Sequence, residues 1–196
     1  MIVIARHAHS TLNELQRVNG DPSVEVQLTD LGMEEARLLG LQLANVPLDA
    51  CVHTQFGRTR RTAELALVGR EIPFIEEPLL NDIDVGELDG ESLEAYRDYK
   101  SAHTRDDPFP GGESLNDAAR RYAEAYERLL ASRYEQVLIV CHEIPLRYAL
   151  NGALESDRLD GPIRRLGNAQ PFLFSKEALT RAITTICRLA PEPATA

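Results

Sequence analysis

Three short stretches hold the residue types best suited to chemistry. Arg6-His7 stands near the start of the chain, His53-Thr54 leads to Arg58, and Cys141-His142 comes late. Each stretch follows an apolar run. If those runs are neighbouring parallel strands, their carboxyl ends bring two imidazoles and two guanidinium groups to the edge where open α/β sheets bind ligands. Arg58 falls at the start of a helical pattern, and a helix N-terminus itself favours anions. Guanidinium groups match phosphate oxygens and keep their charge. An imidazole among fixed cations is poorly placed as a simple general base. It is well placed to attack phosphorus and carry the phosphoryl group, while the cations offset charge on the equatorial oxygens. Such a site also needs an acid to protonate the leaving oxygen, which a carboxyl group can supply.

The elements that would position these groups can be read from the spacing of apolar residues. Residues 2–5 form a β-branched run that fits a strand buried on both faces. Further strands are expected within 48–54, at 72–75, at 137–141, at 171–175 and at 182–189. Helical spacing predicts helices over 30–45, 57–68, near 92–103, over 114–132 and from Pro145 onward. Thr29 and Ser114 stand where N-caps are expected, and Pro47 ends the first of these helices. The order of strands and helices predicts a three-layer α/β/α fold, its sheet mostly parallel with helices on both faces. Residues 1–189 read as a single domain, with 77–112 as a lid-like excursion rich in Asp, Glu, Gly and Pro, and 190–196 as a flexible tail.

Bulk composition narrows the functional classes. A formal net charge of −10 argues against a general nucleic-acid or anionic-membrane binder. No stretch approaches the roughly 20 apolar residues that span a bilayer, and no secretory signal is seen, so a cytoplasmic protein is expected. Cys51, Cys141 and Cys187 are widely spaced without a CxxC, which reads as reduced thiols, the first two in core positions. The histidines lack metal-ligand spacing, so no metal and no cofactor are expected.

Five segments in order carry a resemblance to the histidine phosphatase superfamily, the phosphoglycerate mutase-like proteins. Arg6-His7-Ala8-His9-Ser10 with Asn13 resembles the family's Arg-His-Gly-Glu-Thr…Asn signature. Thr54-Gln55-Phe56-Gly57-Arg58 with Thr62-Ala63-Glu64 is similar to its Ser-x-Leu-x-Arg-Ala…Thr-Ala-Glu. Leu80 to Gly90 is similar to its Leu-x-Glu-x-x-x-Gly-x-x-x-Gly, Pro110-Gly111-Gly112-Glu113-Ser114 to its Pro-Gly-Gly-Glu-Ser, and the strand ending in His142, with Arg147 beyond, to its second histidine segment. The resemblance implies that His7 is the catalytic nucleophile, that Arg6, Arg58 and His142 bind the phosphoryl oxygens with Asn13 assisting, and that Asp82 is the proton donor. It also implies a phosphomonoester hydrolase that acts on a small phosphorylated metabolite without a metal.

Departures from the pattern mark where this chain differs. Ala8 replaces Gly, His9 replaces Glu or Gln, Asp82 is one methylene shorter than Glu, and Glu143 follows His142 where many relatives have Gly. His9, Ser10 and Glu143 are therefore candidate pocket residues, with Glu143 the alternative proton donor. His53 and His103 read as structural or surface residues, and Arg60 and Arg61 as a solvated helix face. Two other functions fit the same residues: phosphoglycerate mutase-type phosphoryl transfer, and a weakly catalytic module that binds phosphate or a phosphoprotein. The 77–112 excursion is expected to choose among phosphorylated substrates, and a homodimer is compatible with the sequence. On general-acid grounds Asp82→Asn is expected to lower phosphomonoester turnover by roughly two to four orders of magnitude; unchanged turnover in a phosphate-release assay would move the role to another residue.

Overall fold

The computed structural model describes residues 1–192. Five strands make one sheet: β1 (Ile2–Arg6), β2 (Ala50–His53), β3 (Phe74–Glu76), β4 (Val137–Cys141) and β5 (Pro171–Phe174), in the order β3-β2-β4-β1-β5. The first four run parallel, and β5 lies antiparallel against β1 at the edge. The described residues hold seven α-helices: α1 (Thr11–Glu14), α2 (Asp30–Gln42), α3 (Gly57–Ala66), α4 (Leu93–Ala102), α5 (Leu115–Ala131), α6 (Glu143–Ala153) and α7 (Lys176–Leu189). The fold is the expected α/β class with a mostly parallel sheet.

Strand alternation divides the core into two layers. Ile2, Ile4, Val52, Val137, Ile139 and Cys141 face the side covered by α5, α6 and α7. Val3, Ala5, Cys51, Leu138 and Val140 face α2 and α3. Successive strand residues point to opposite faces, so a strand buried on both sides must be apolar throughout, and all five residues of β4 are buried. Tyr122, Tyr126 and Tyr148 fill the first layer without exposure. Tyr126 meets its polar need by donating to the Pro145 carbonyl at 3.0 Å. Truncating any of these rings would cost about 3–5 kcal/mol.

Parallel register sets where the chemistry can occur. Arg6 pairs with Cys141, and His53 with Val140, so β1, β4 and β2 end side by side. The His7 amide then donates to the Cys141 carbonyl at 2.8 Å, carrying the β1–β4 ladder one residue past the strand. Helix starts are secured by side chains: Thr29 accepts from the Gly32 amide, and Ser114 with Asp117 forms a reciprocal capping box at α5.

One expected element differs. Residues 182–189 read as a strand because Ile183, Thr184, Thr185 and Ile186 are β-branched, yet they lie inside α7. Ser175 caps that helix by accepting from the Ala178 amide, and Leu179, Ala182, Ile183 and Ile186 form a buried stripe at helical spacing. Packing against α5 and α6 outweighs a modest propensity difference. Ala190 is buried and its amide donates to the Ile186 carbonyl, whereas 193–196, the end of the expected tail, lie outside the described residues. Cys51 and Cys141 are buried and Cys187 is exposed, all three as free thiols. No helix among the described residues is long and apolar enough to cross a membrane.

Between β3 and α5 the chain makes 3₁₀ turns at Pro78–Leu80 and Gly86–Leu88 and then α4. Leu80, Ile83, Val85 and Phe109 from this stretch are buried in the first core layer. Here Gly86 has a φ of +52°, and a Cβ at that position would come within 2.1 Å of the Pro110 carbonyl oxygen. Both the backbone conformation and the close approach require glycine. Gly86→Ala is expected to lower unfolding stability by about 2 kcal/mol or more in urea titrations, with unchanged stability showing that the two loops can part freely.

Candidate active site

At the carboxyl ends of β1, β4 and β2 lies a cavity of about 350 Å³ whose lining includes Arg6, His7, Ser10, Asn13, Asn19, Arg58, Asp82 and Glu143. His7 lines its inner end, and His142, which is fully buried and does not line it, lies behind with the two ring centroids 5.4 Å apart. His7 Nδ1 is 2.8 Å from the Ala8 carbonyl oxygen. A carbonyl only accepts, so Nδ1 holds the proton and Nε2 carries the lone pair. The Arg58 Nε–H donates to that lone pair at 3.1 Å. Burial, then Arg58, then Arg6 push the His7 pKa well below the usual histidine value. The neutral form, with its lone pair on Nε2, is therefore the resident one.

Arg58 is the second residue of α3 and is 4% exposed. Its Nη1 donates to Asn19 Oδ1, its Nη2 to the Asn19 carbonyl at 3.3 Å, and Nη2 also stands 3.3 Å from His142 Nδ1. The guanidinium lies over the Phe56 ring, 4.3 Å from its centroid. Burial pulls its pKa to about 10, which leaves it charged at neutral pH.

His142 is fully buried between Arg58 and a chain of hydroxyls. Its Nδ1 accepts from Arg58, and its Nε2 stands 3.0 Å from Thr54 Oγ1, which in turn is 2.9 Å from Thr59 Oγ1. Thr59 donates in turn to the Phe56 carbonyl at 2.8 Å. Every member of this chain is satisfied with His142 neutral. Burial and the cations push its pKa well below the usual value.

Asp82 approaches from the stretch after β3. Its Oδ2 is 3.6 Å from Arg58 Nη2 and 3.5 Å from His142 Nδ1. Burial raises its pKa, against the opposing pull of Arg58. Arg121 of α5 holds the backbone from which Asp82 projects. That guanidinium donates to the carbonyls of Leu79 at 2.9 Å, Asn81 at 2.7 Å and Asp82 at 2.8 Å. Glu113 completes the clasp, pairing with Arg121 and accepting from the Asp84 amide at 2.9 Å.

Other candidates separate into those the cavity includes and those it does not. Asn13 lines it, and its Oδ1 accepts from the Ser10 amide and hydroxyl at 3.1 Å. Ser10 lines it as the N-cap of α1. Glu143, the first residue of α6, has Oε2 2.8 Å from Arg6 and Oε1 paired with Arg147. His9 does not line the cavity: its Nδ1 is 3.0 Å from Thr29 Oγ1, so the expectation of a rim residue is corrected by its engagement with the cap of α2. His53 is buried beside the site, its Nδ1 donating to the Thr54 carbonyl. Ala8 fits without exposure, its amide held by Thr62 Oγ1 at 3.0 Å.

With this geometry in view, the family profile of the histidine phosphatase superfamily (branch 1) matches residues 2–174. The chain belongs to that superfamily. A 2,3-bisphosphoglycerate-dependent phosphoglycerate mutase from Methylobacterium sp. (strain 4-46) is 33% identical over 164 residues, covering 75% of this chain and 77% of the mutase. Among solved structures, a Bacillus stearothermophilus protein, YhfR, is similar with a TM-score of 0.76 and 24% identity, covering 87% of this chain and 88% of that one. A putative alpha-ribazole-5′-P phosphatase from Escherichia coli aligns with a TM-score of 0.68 and 23% identity over 76% of this chain and 77% of that one.

Several residues that shape this superfamily site escaped the sequence reading. Asn19 lay within a turn signal, Asn19-Gly20-Asp21-Pro22, and its contact with Arg58 has no local signature. Asp89 holds the same turn, its Oδ1 accepting from the Gly20 amide at 2.6 Å and the Asp21 amide at 3.2 Å. Asn168 comes from the segment before β5 and donates to the His7 carbonyl at 2.8 Å.

Two buried histidines held neutral make stability depend on pH. Below about pH 6.5 the unfolded chain binds protons that the folded chain does not, so stability falls as pH drops. His142→Gln removes one such group. Between pH 6.5 and 5.5 the wild type should lose about 1 kcal/mol more than this variant in urea unfolding; parallel losses would show that His142 titrates alike in both states.

Proposed function

We propose that this chain is a metal-independent phosphomonoester hydrolase that acts through a phosphohistidine at His7. The observation that carries the reading is the orientation of His7: its Nδ1 proton is committed to the Ala8 carbonyl, and its Nε2 lone pair sits beside Arg58 in a cationic pocket. A phosphoryl group that displaces the weak Arg58–His7 contact would gain stronger, charge-assisted bonds from the same guanidinium.

In the first step Nε2 of His7 attacks phosphorus as the bond to the leaving oxygen breaks. Arg6 and Arg58 hold the equatorial oxygens, with His142 behind Arg58 and Asn13 at the cavity wall. Asp82 gives its proton to the leaving oxygen, and the burial that raises its pKa favours the protonated state this requires. In the second step the Asp82 carboxylate takes a proton from water, water oxygen bonds to phosphorus, and the N–P bond breaks to restore neutral His7. Glu143 is the weaker candidate for the acid, because both of its oxygens are engaged by arginines.

The mutase relative favours a second reading, in which the phosphoryl group returns to an organic acceptor. Water access supports hydrolysis: Arg97, Arg164 and Arg165 line the cavity and are exposed, so its mouth is open. Isomerisation of 3-phosphoglycerate in the presence of 2,3-bisphosphoglycerate, rather than phosphate release, would establish the mutase reading.

Phosphate release from p-nitrophenyl phosphate with EDTA present is the direct test. Turnover should survive EDTA and fall by at least about a thousandfold in His7→Ala. Turnover lost to EDTA would overturn the metal-independent route, and turnover retained by His7→Ala would overturn the nucleophile.

A further inference from the structure

The cavity holds more positive charge than one phosphoryl group requires. Eight arginine and lysine side chains line it against two carboxylates, in a chain whose formal net charge is −10. Glu143 divides these cations. One of its oxygens engages Arg6 beside His7, and the other engages Arg147, one helical turn further along α6. Beyond Arg147 the cavity is bounded by Tyr96, Arg97 and Lys100 from α4, and by Arg164 and Arg165 from the segment between α6 and β5.

Polar groups in and around the cavity lack partners, and two of them, on Tyr96 and Arg147, stand in this outer part. Four buried side-chain polar atoms have none among the described residues: Arg6 Nε, Tyr96 Oη, Arg147 Nε and Asp160 Oδ1. The first three belong to residues that line the cavity. Buried donors are normally satisfied, so residues that carry unmet donors mark the stretch of cavity wall whose polar groups the protein itself satisfies least. Burial holds the Tyr96 hydroxyl well above the usual tyrosine pKa, so it remains a donor. Asp160 is shared among Lys100 at 3.6 Å, Arg147 at 3.6 Å and Arg105. One carboxylate thus serves three cations. Arg97, Arg164 and Arg165 form no ion pair among the described residues, where the neighbouring pairs all go to Asp160 and Glu143.

We propose that Tyr96, Arg97, Lys100, Arg147, Arg164 and Arg165 form a second anion subsite, so that the substrate is a phosphomonoester whose alcohol portion carries a further anionic group, carboxylate or phosphoryl. This deepens the hydrolase reading and rests on it for the first phosphoryl group. A cavity of about 350 Å³ has room for a small metabolite bearing both groups. Arg6 and Arg58 would hold the group that reacts, and the outer cations would hold the group that does not.

Two matched pairs test the subsite. Glycerol 3-phosphate and 3-phosphoglycerate differ by a carboxylate; fructose 6-phosphate and fructose 1,6-bisphosphate differ by a phosphoryl group. Dissociation constants are measured by calorimetry on His7→Ala, which cannot turn the ligands over, and kcat/KM on the wild-type chain. In at least one pair the partner that carries two anionic groups should be favoured by about 30-fold or more in both measurements, and the pair with the larger ratio identifies the anion. Replacing both Arg164 and Arg165 by Ala should reduce that ratio to about 3 or less, and replacing both by Lys should restore most of it. Ratios near one in both pairs, or a ratio unmoved by the double alanine variant, would overturn the subsite. Selective binding without turnover of any ester would support the subsite and overturn the hydrolase reading.

Discussion

One buried guanidinium, that of Arg58, is the point on which the site depends. It is a full charge at 4% exposure, and such a charge is costly unless every donor finds a partner. Its donors meet His7, His142 and both the side chain and backbone of Asn19, while its face lies over Phe56. The partners come from four different parts of the chain, and only the parallel order of β1, β4 and β2 brings those parts together. Removing any partner would leave the charge under-compensated, so the fold and the chemistry share one constraint.

The neighbouring networks fix the geometry around that charge. Thr62 ties the turn after β1 to α3, accepting from the Ala8 amide and donating to the Arg58 carbonyl at 2.7 Å. Asp89 holds the turn that contains Asn19, which in turn holds Arg58. Arg121 and Glu113 hold the Asp82 backbone from the opposite side. Segments that look like separate motifs along the chain therefore act on one another through a few hydrogen bonds. The Pro110-Gly111-Gly112-Glu113-Ser114 stretch contributes an anchor for the Asp82 loop, a close backbone passage and the cap of α5.

What the sequence revealed followed from strong local signals. The apolar runs of β1 and β4 and the cap of α5 are legible because burial on two faces and capping each leave a pattern in adjacent residues. His7, Arg58 and His142 were legible because they directly follow such elements. The helix α7 was misread because Thr184, Thr185 and Ile186 suit either state and only tertiary packing decides between them. Asn19, Asp89 and Arg121 were illegible for a different reason. Their partners lie 39 or more residues away in the chain, and no local pattern records such a contact. His9 was misplaced because it neighbours His7 in sequence while its ring turns to Thr29.

The attachment of Asp82 has a consequence for how this site could fail. The groups that would capture a phosphoryl moiety stand on the sheet and on α3, whereas the carboxyl group that would finish each half-reaction is held in place from α5 by the Arg121–Glu113 clasp. Phosphoryl binding and proton transfer thus have separate mechanical supports. Under the proposed chemistry, loosening the clasp would leave the cradle able to bind a phosphoryl group while slowing both half-reactions, so that the ester is held and not turned over. The same separation gives evolution a dial: the rate of turnover can be raised or lowered by changes on α5 without disturbing a single phosphate-binding residue.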